Sequence, residues 1–254
     1  MAWTLTHIYR HPVKALGAEA LAHAVLEAGG GIPWDRAWAI VHAKADWNAA
    51  APGYISGSRN VVNQAQVPRL VQLQIAFDDE QGSLNLSHPD LGNLSVTPAD
   101  PADQTRLMHW IAPLTEGTSA PGPFQFCAAP GVRYTDFEET HLSIATGTSL
   151  RALEERVGQP LDHARFRMNL WLDGPAAWSD LEWVGQEIEI GEARFAVIAR
   201  DKRCNATNAN PANGRRDTQI PGVLQRDLGH MDFGVYAQVT RGGTIRCGDA
   251  ARLV

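Results

Sequence analysis

The chain has 254 residues, 44% hydrophobic and 20% charged, which is ordinary globular usage and excludes a disordered, collagen-like or coiled-coil chain. That length holds one large domain or two ordinary ones. The 28 acidic residues against 22 basic ones give a net charge of -6, so nucleic-acid or membrane binding driven by overall charge is excluded and any anion site is local.

Lys14, Lys44 and Lys202 are the lysines; the other basic residues are arginines, whose planar fork suits bidentate anion contacts. The start, Met1 to His7, lacks a cationic run followed by an apolar core, and no stretch approaches the ~18 apolar residues of a membrane span, so a cytoplasmic location without membrane partners is expected. Cys127, Cys204 and Cys247 are odd in number and widely spaced. They build neither a disulfide framework nor a four-cysteine zinc or iron–sulfur site within one chain.

Trp3 to Val13 and Asp35 to Val41 read as strands, the second after a Gly29-Gly30-Gly31 turn. Between them, Glu19 to Glu27 has alanine-rich helical propensity but is short and lies between strands, which favours strand. Val71, Leu73, Ile75 and Phe77 alternate as in a half-buried strand, and Leu84-Asn85-Leu86 pairs with it. Leu107, Trp110, Ile111 and Leu114 follow helical spacing. Pro113, Gly117, Pro121, Gly122, Pro123, Pro130 and Gly131 then crowd a stretch that reads as a linker.

Beyond it, Thr148 or Ser149 caps a helix with Leu150, Leu153 and Val157 on one face, stopped by Gly158 and Pro160. Strands are expected at Phe166–Leu172, Glu187–Ile190, Ala193–Ile198, Phe233–Val239 and Thr244–Cys247. The class is therefore mixed and mainly β with a few short helices (α+β), a barrel or closed sheet rather than a doubly wound fold.

The window Arg194 to Arg216 holds six basic residues around Cys204 against the single acid Asp201. Such cations favour a thiolate, the nucleophilic and metal-binding form, and attract an anionic ligand. A basic hairpin around an inert packing cysteine accounts for the same composition, and composition alone favours it. Asn205 to Gly214 is rich in small polar residues, able to present N–H groups and amides or simply to form a surface turn. Alternation would place Arg165, Arg167 and Asn169 on one strand face.

Arg167-Met168-Asn169-Leu170, Ile188-Glu189-Ile190-Gly191, Arg203-Cys204 with Thr207, Pro211 and Gly214, Phe233-Gly234-Val235-Tyr236-Ala237 and Gly243-Thr244-Ile245-Arg246-Cys247-Gly248-Asp249 together resemble the MOSC domain of molybdenum cofactor sulfurases and amidoxime-reducing molybdenum enzymes. Ile8 to Lys14 and Asp35-Arg36-Ala37-Trp38 are similar to the N-terminal β-barrel domain of the amidoxime-reducing group. The resemblance implies a MOSC-type β-barrel preceded by a smaller β-barrel-like domain: residues 1–115, a linker at 116–135, and the MOSC domain at 136–254.

It also implies a molybdenum pterin cofactor, with Cys204 as the metal's protein ligand and catalytic residue, a role that suits soft thiolate. Lys14, Arg36, Thr148, Ser149, Arg167 and Asn169 stand where the family grips the pterin and its phosphate, Arg36 and Arg167 with forked contacts, Thr148 and Ser149 at a helix N-terminus. Arg203 and Thr207 belong to the same cofactor loop. The implied activity is reduction of small N-hydroxylated or related N–O compounds by oxygen-atom transfer, with electrons from separate donor proteins. Persulfide sulfur transfer on Cys204 and non-enzymatic cofactor carriage are the alternatives.

Ala15, Met168, Lys202, Asn208 and Asn210 depart from the family pattern, mostly around the site, and bear on the substrate more than on the fold. An aminotransferase-like half with its Schiff-base lysine has no room, and the C-x4-C-x2-C run of an appended ferredoxin is absent, so neither pyridoxal phosphate nor an iron–sulfur cluster is expected. His230 and Asp232 are weighed as a proton source against an ordinary surface turn.

Overall fold

A computed structural model describes residues 3–55, 60–120, 122–129 and 131–254. Met1, Ala2, Pro121 and Pro130, cited above, lie outside the described residues.

The front of the chain carries β1 (Trp3–Arg10), β2 (Glu19–Leu21), β3 (His23–Leu26), β4 (Trp38–Val41), β5 (Gln74–Asp78), β6 (Ser83–His88), β7 (Gly92–Val96), helix α1 (Pro101–Thr115) and β8 (Gln125–Ala128). Then come β9 (Leu142–Thr146), α2 (Gly147–Val157), β10 (Leu170–Asp173), β11 (Glu187–Ile190), β12 (Ala193–Lys202), α3 (Ile220–Leu228), β13 (Asp232–Arg241), β14 (Gly243–Arg246) and β15 (Ala250–Leu253). The fold is mainly β with three α-helices among the described residues, as the composition and turn pattern predict. No described helix is long and apolar enough to cross a membrane.

Seven strands close a barrel in the order β10-β9-β13-β12-β11-β15-β1, with β1 pairing back to β10 and β2 appended to β1. Closure removes the unpaired edges that an open sheet exposes. Only β9 and β10 run parallel, and α2 makes the crossover such a pair needs. The interior is filled by alternate residues, among them Leu5, Ile8, Ile144, Leu172, Ile188 and Phe195.

A second core forms where β5, β6 and β7, an antiparallel sheet, meet α1 through Ile75, Phe77, Leu84, Leu86, Leu107 and Ile111. A third packs α2 and α3 on the barrel's outside through Leu150, Leu153, Leu224 and Phe233.

Several local expectations shift. Glu19 to Glu27 is two short strands, because β3 pairs with β14 and β2 with β1. The stretch read as linker contains β8, paired with β4 and anchored by fully buried Cys127; four residues flanked by glycine and proline leave too short a pattern to read. Strand β9 went unpredicted because all five of its residues are buried, so nothing alternates. Helix α3 also went unpredicted, its Pro221 lying in the first turn where a missing N–H costs nothing. The cap of α2 is Thr146, two residues before the expected position, whose side chain accepts from Ser149 N at 3.1 Å. Cys247 falls in the turn after β14 rather than in a strand.

The strand expected from Phe166 begins only at Leu170. Arg167 has φ of 55°, which breaks the alternation, so Arg165, Arg167 and Asn169 share no face. Arg165 instead turns to Asp217, 2.9 Å away.

Candidate functional site

A cleft of about 490 Å³ opens between the barrel and the front segment, lined by Lys14, Ala15, Arg36, Arg167, Arg203 and Cys204 among others. Five of the nine residues expected from sequence thus meet here. Each arrives by a different local device.

Cys204 follows the end of β12 in extended conformation and is exposed. Its carbonyl accepts from the Thr207 amide at 3.2 Å and from Thr207 Oγ1 at 2.9 Å, closing a short turn that presents the thiol. Thr207 is buried and serves as a brace. Asn208 Oδ1 accepts from Ile220 N at 2.8 Å and Asn210 Nδ2 donates to Asp217 at 2.6 Å, so these two family departures shape the loop from behind. The other thiols differ: burial pushes Cys127 up to about 12, and Cys247 donates to Leu21 O away from the cleft.

Lys14 pairs with Asp136, and its backbone N–H donates to Trp38 O at 2.7 Å where the segment after β1 runs beside the start of β4. Arg36 pairs with Asp35, donates to Asn169 Oδ1 at 2.9 Å, and donates to the Arg167 carbonyl at 3.3 Å. Asn169 is fully buried. Its Oδ1 accepts from Ser143 N and Oγ, each at 3.1 Å, and its Nδ2 donates to Tyr9 O and Asp35, each at 3.1 Å. The amide therefore locks Arg36 in place and has no free group to offer a ligand.

Arg167 stands apart. Among the described residues its guanidinium donates no hydrogen bond, and Nη2 is buried without a partner. Burial and the neighbouring Arg36 pull it down to about 9, well below an ordinary guanidinium. Ala15, Arg36 and Arg167 have φ of 62°, 50° and 55°, so three lining residues hold a backbone conformation unfavourable for any residue with a Cβ. Strain of roughly 1–3 kcal/mol at each is tolerated where the surrounding fold imposes it, and such residues cluster at functional sites.

Sequence reasoning missed the acids that hold these cations. Arg203 pairs with Asp201, donates to the Phe166 carbonyl, and lies over the Phe166 ring at 5.9 Å. Tyr236 Oη lies 2.6 Å from Asp136 and 2.9 Å from Asp201. A phenol has one proton, so both contacts are satisfied together when one acid is protonated. Of the two, Asp201 takes up a proton more readily, because burial pushes it up to about 6, while Lys14 and Tyr236 hold Asp136 far below its ordinary value despite burial. Lys14, Asp136, Tyr236, Asp201 and Arg203 form one hydrogen-bonded chain along the wall. Tyr236 lies in the Phe233-Gly234-Val235-Tyr236-Ala237 run quoted above, where Gly234, two residues before it, has φ of 80° and a Cβ would lie 2.7 Å from Ile144 O.

Thr148 and Ser149 are not brought to this cleft. Thr148 Oγ1 donates to Pro175 O at 2.7 Å and Ser149 Oγ to Asp180 Oδ1 at 2.8 Å, bracing the start of α2. Nor is the basic window one patch, since Arg194 reaches back to Glu187 and Glu189, and Arg216 to Ala65 O. His230 lies in a turn with Asp232, outside the cleft lining.

Residues 127–252 match the MOSC domain and residues 2–121 the MOSC N-terminal beta barrel domain. The chain belongs to the MOSC family. Over 99% of its length this MOSC chain is 21% identical to mitochondrial amidoxime-reducing component 1 of Mus musculus, spanning 82% of that protein. The Xenopus laevis protein of the same name is 28% identical over 42% of this chain and 34% of its own length. Among solved structures, YUAD protein from Bacillus subtilis is similar over 100% of this chain and 96% of its own, with 13% identity and a TM-score of 0.46. YiiM from Geobacillus stearothermophilus is similar over 44% of the MOSC chain and 53% of its own, with 22% identity and a TM-score of 0.35.

Proposed function

We propose that the cleft binds a molybdenum pterin and that the protein reduces small N-hydroxylated or related N–O compounds, with electrons from a separate donor protein. The observation that carries this reading is the Arg167 guanidinium, whose buried Nη2 has no hydrogen-bond partner, in the same cleft lining as the exposed Cys204 thiol. Asp35 and Asp136 act on this cation without accepting from it, and a buried N–H without an acceptor is costly; a phosphate-bearing ligand removes that cost.

The donor set fits the cofactor. Among the described residues no group of three or more His, Cys, Asp or Glu could hold a metal ion by itself. Cys204 supplies one soft sulfur. Lys14, Arg36 and Arg167 hold the phosphate and polar rings, while Asn169, Thr207 and Arg203 position them. When bound, the cofactor supplies two-electron oxygen-atom transfer.

Reduction of an N–OH group to N–H with release of water consumes two protons and two electrons. Tyr236 and Asp201 hold a proton in the cleft wall, within a hydrogen-bonded chain. Arg203, paired to Asp201, fixes that carboxyl and keeps the backbone beside Cys204 in register.

The test is metal and pterin content of protein made in a host that synthesises the cofactor, wild type beside Cys204→Ser. Near-stoichiometric molybdenum and pterin are expected in the wild type, with metal loss and abolished N-hydroxyl reduction, driven by a reduced viologen dye, in the variant. Fresh wild-type protein with neither metal nor pterin would overturn the reading. Persulfide labelling of Cys204 in that protein would then assign sulfur transfer.

A further inference from the structure

Strand β12 ends in Arg200-Asp201-Lys202, and the chain stays extended into Cys204. Alternation turns Asp201 and Arg203 inward, where they pair with each other, and leaves Arg200, Lys202 and Cys204 on the exposed side. Successive members of this exposed row stand roughly 7 Å apart. All three line the cleft, so two cations flank the approach to the thiol.

The row is not neutralised as other cations of this barrel are. Arg194, earlier on β12, shares Glu187 and Glu189, and Glu189 also takes Arg241 and Arg252. The Lys202 ammonium, in contrast, makes no ion pair or side-chain hydrogen bond among the described residues. Arg200 donates Nε to Leu181 O at 2.8 Å, which fixes its fork, and Asp232, its one ion-pair partner among the described residues, stands 3.9 Å away. A chain with 28 acidic residues against 22 basic ones thus leaves two cations without a close acid beside its exposed cleft thiol. The cofactor contacts assigned above use neither. Phe137, also in the lining, is 42% exposed, and its ring stands edge to face on Tyr236 at 5.3 Å, a flat apolar surface beside the proton-holding phenol.

We propose that Arg200 and Lys202 select substrates that carry a carboxylate, so that the compounds reduced here are N-hydroxylated acids with a planar apolar body. The carboxylate meets the Lys202 ammonium and the Arg200 fork, the body lies on Phe137, and the N–O group reaches the Cys204 end of the cleft. Such contacts are charge-assisted, and at an exposed rim their gain is modest and sensitive to salt. This selectivity rests on the reductase reading of the cleft.

Benzamidoxime and para-carboxybenzamidoxime are the probes, titrated calorimetrically into the molybdenum- and pterin-loaded full chain without reductant and then turned over with reduced viologen. The carboxylated compound is expected to bind at least about fivefold tighter, an advantage that shrinks at high salt. Lys202→Ser is expected to bring the two affinities to within about twofold of each other, and Lys202→Glu to reverse their order. Phe137→Ala weakens both compounds and keeps their ratio. In turnover the advantage lies in KM rather than kcat, as it does for a contact made equally in ground and transition states. Equal affinities in the wild type, or an advantage that survives Lys202→Ser combined with Arg200→Gln, would overturn the proposal. Loss of pterin from Lys202→Ser would do the same, by assigning the ammonium to the cofactor. Selective binding without turnover of either compound would uphold the carboxylate contact and overturn the reductase reading instead.

Discussion

At the scale of single residues, this chain places ionisable groups in its interior and compensates them unequally. Asp180 is 1% exposed; Ser149 Oγ donates to one of its oxygens and the other has no partner. Burial pushes its carboxyl up from 3.8 to about 6. Below the unfolded value both states are protonated and the group is neutral for stability. Between the two values the folded state takes up a proton the unfolded state does not, and above about 6 the fold carries the full cost of a buried charge. This group's contribution therefore falls as pH rises from about 4 to 6 and stays low at pH 7. Asp180→Asn retains an acceptor for Ser149 and removes the charge. It is expected to stabilise the protein by about 1–2 kcal/mol at pH 7 and to change little at pH 4, read from denaturant midpoints. Equal destabilisation at both pH values would show that the carboxylate is held by contacts the buried geometry does not contain.

At the scale of elements, α2 is where sequence and structure differ most usefully. Thr146 is fully buried and accepts from the Ser149 amide, while Thr148, the expected cap, is turned toward Pro175 O. Thr146→Ala is expected to cost about 1–2 kcal/mol, and Thr148→Ala less than half of that. Thermal melts of the two variants decide it; a larger loss for Thr148→Ala would return the cap to the position that propensity favours. Propensity could not find the true cap because β9 runs into the helix without a loop. The same physics separates what was legible from what was not. Strands that alternate, such as β5 and β6, announce themselves, whereas β9, buried on every side, does not. Within the cleft, Lys14, Arg36, Arg167 and Cys204 are legible through motif likeness. The roles of Asp136, Asp201 and Tyr236 are not, since their meaning lies in hydrogen bonds spanning up to 122 residues of sequence.

At the scale of the molecule, front and back are interlocked rather than joined in series. Strand β1 closes the barrel, pairing Leu5 with Leu172 and Ile8 with Leu170 on one side and Trp3 with Ala251 on the other. Trp3 stacks on Trp183 at 4.8 Å, and β3 pairs with β14. A fragment of residues 136–254 alone therefore lacks a barrel stave, exposes the edges of β10 and β15, and leaves the space of Leu5 and Ile8 empty. Each such large-side-chain vacancy costs roughly 2–5 kcal/mol, which is comparable to the whole stability of a domain. The fragment is expected to bind a hydrophobic dye and to lack cooperative unfolding, whereas the full chain unfolds with coincident midpoints by tryptophan emission and far-ultraviolet dichroism. Adding a peptide of residues 1–27 to the fragment should restore cooperative unfolding, because that peptide carries both β1 and β3. A fragment that unfolds cooperatively by itself, or a full chain with two separated transitions, would mean that the MOSC portion stands as an independent unit and that β1 merely decorates its edge.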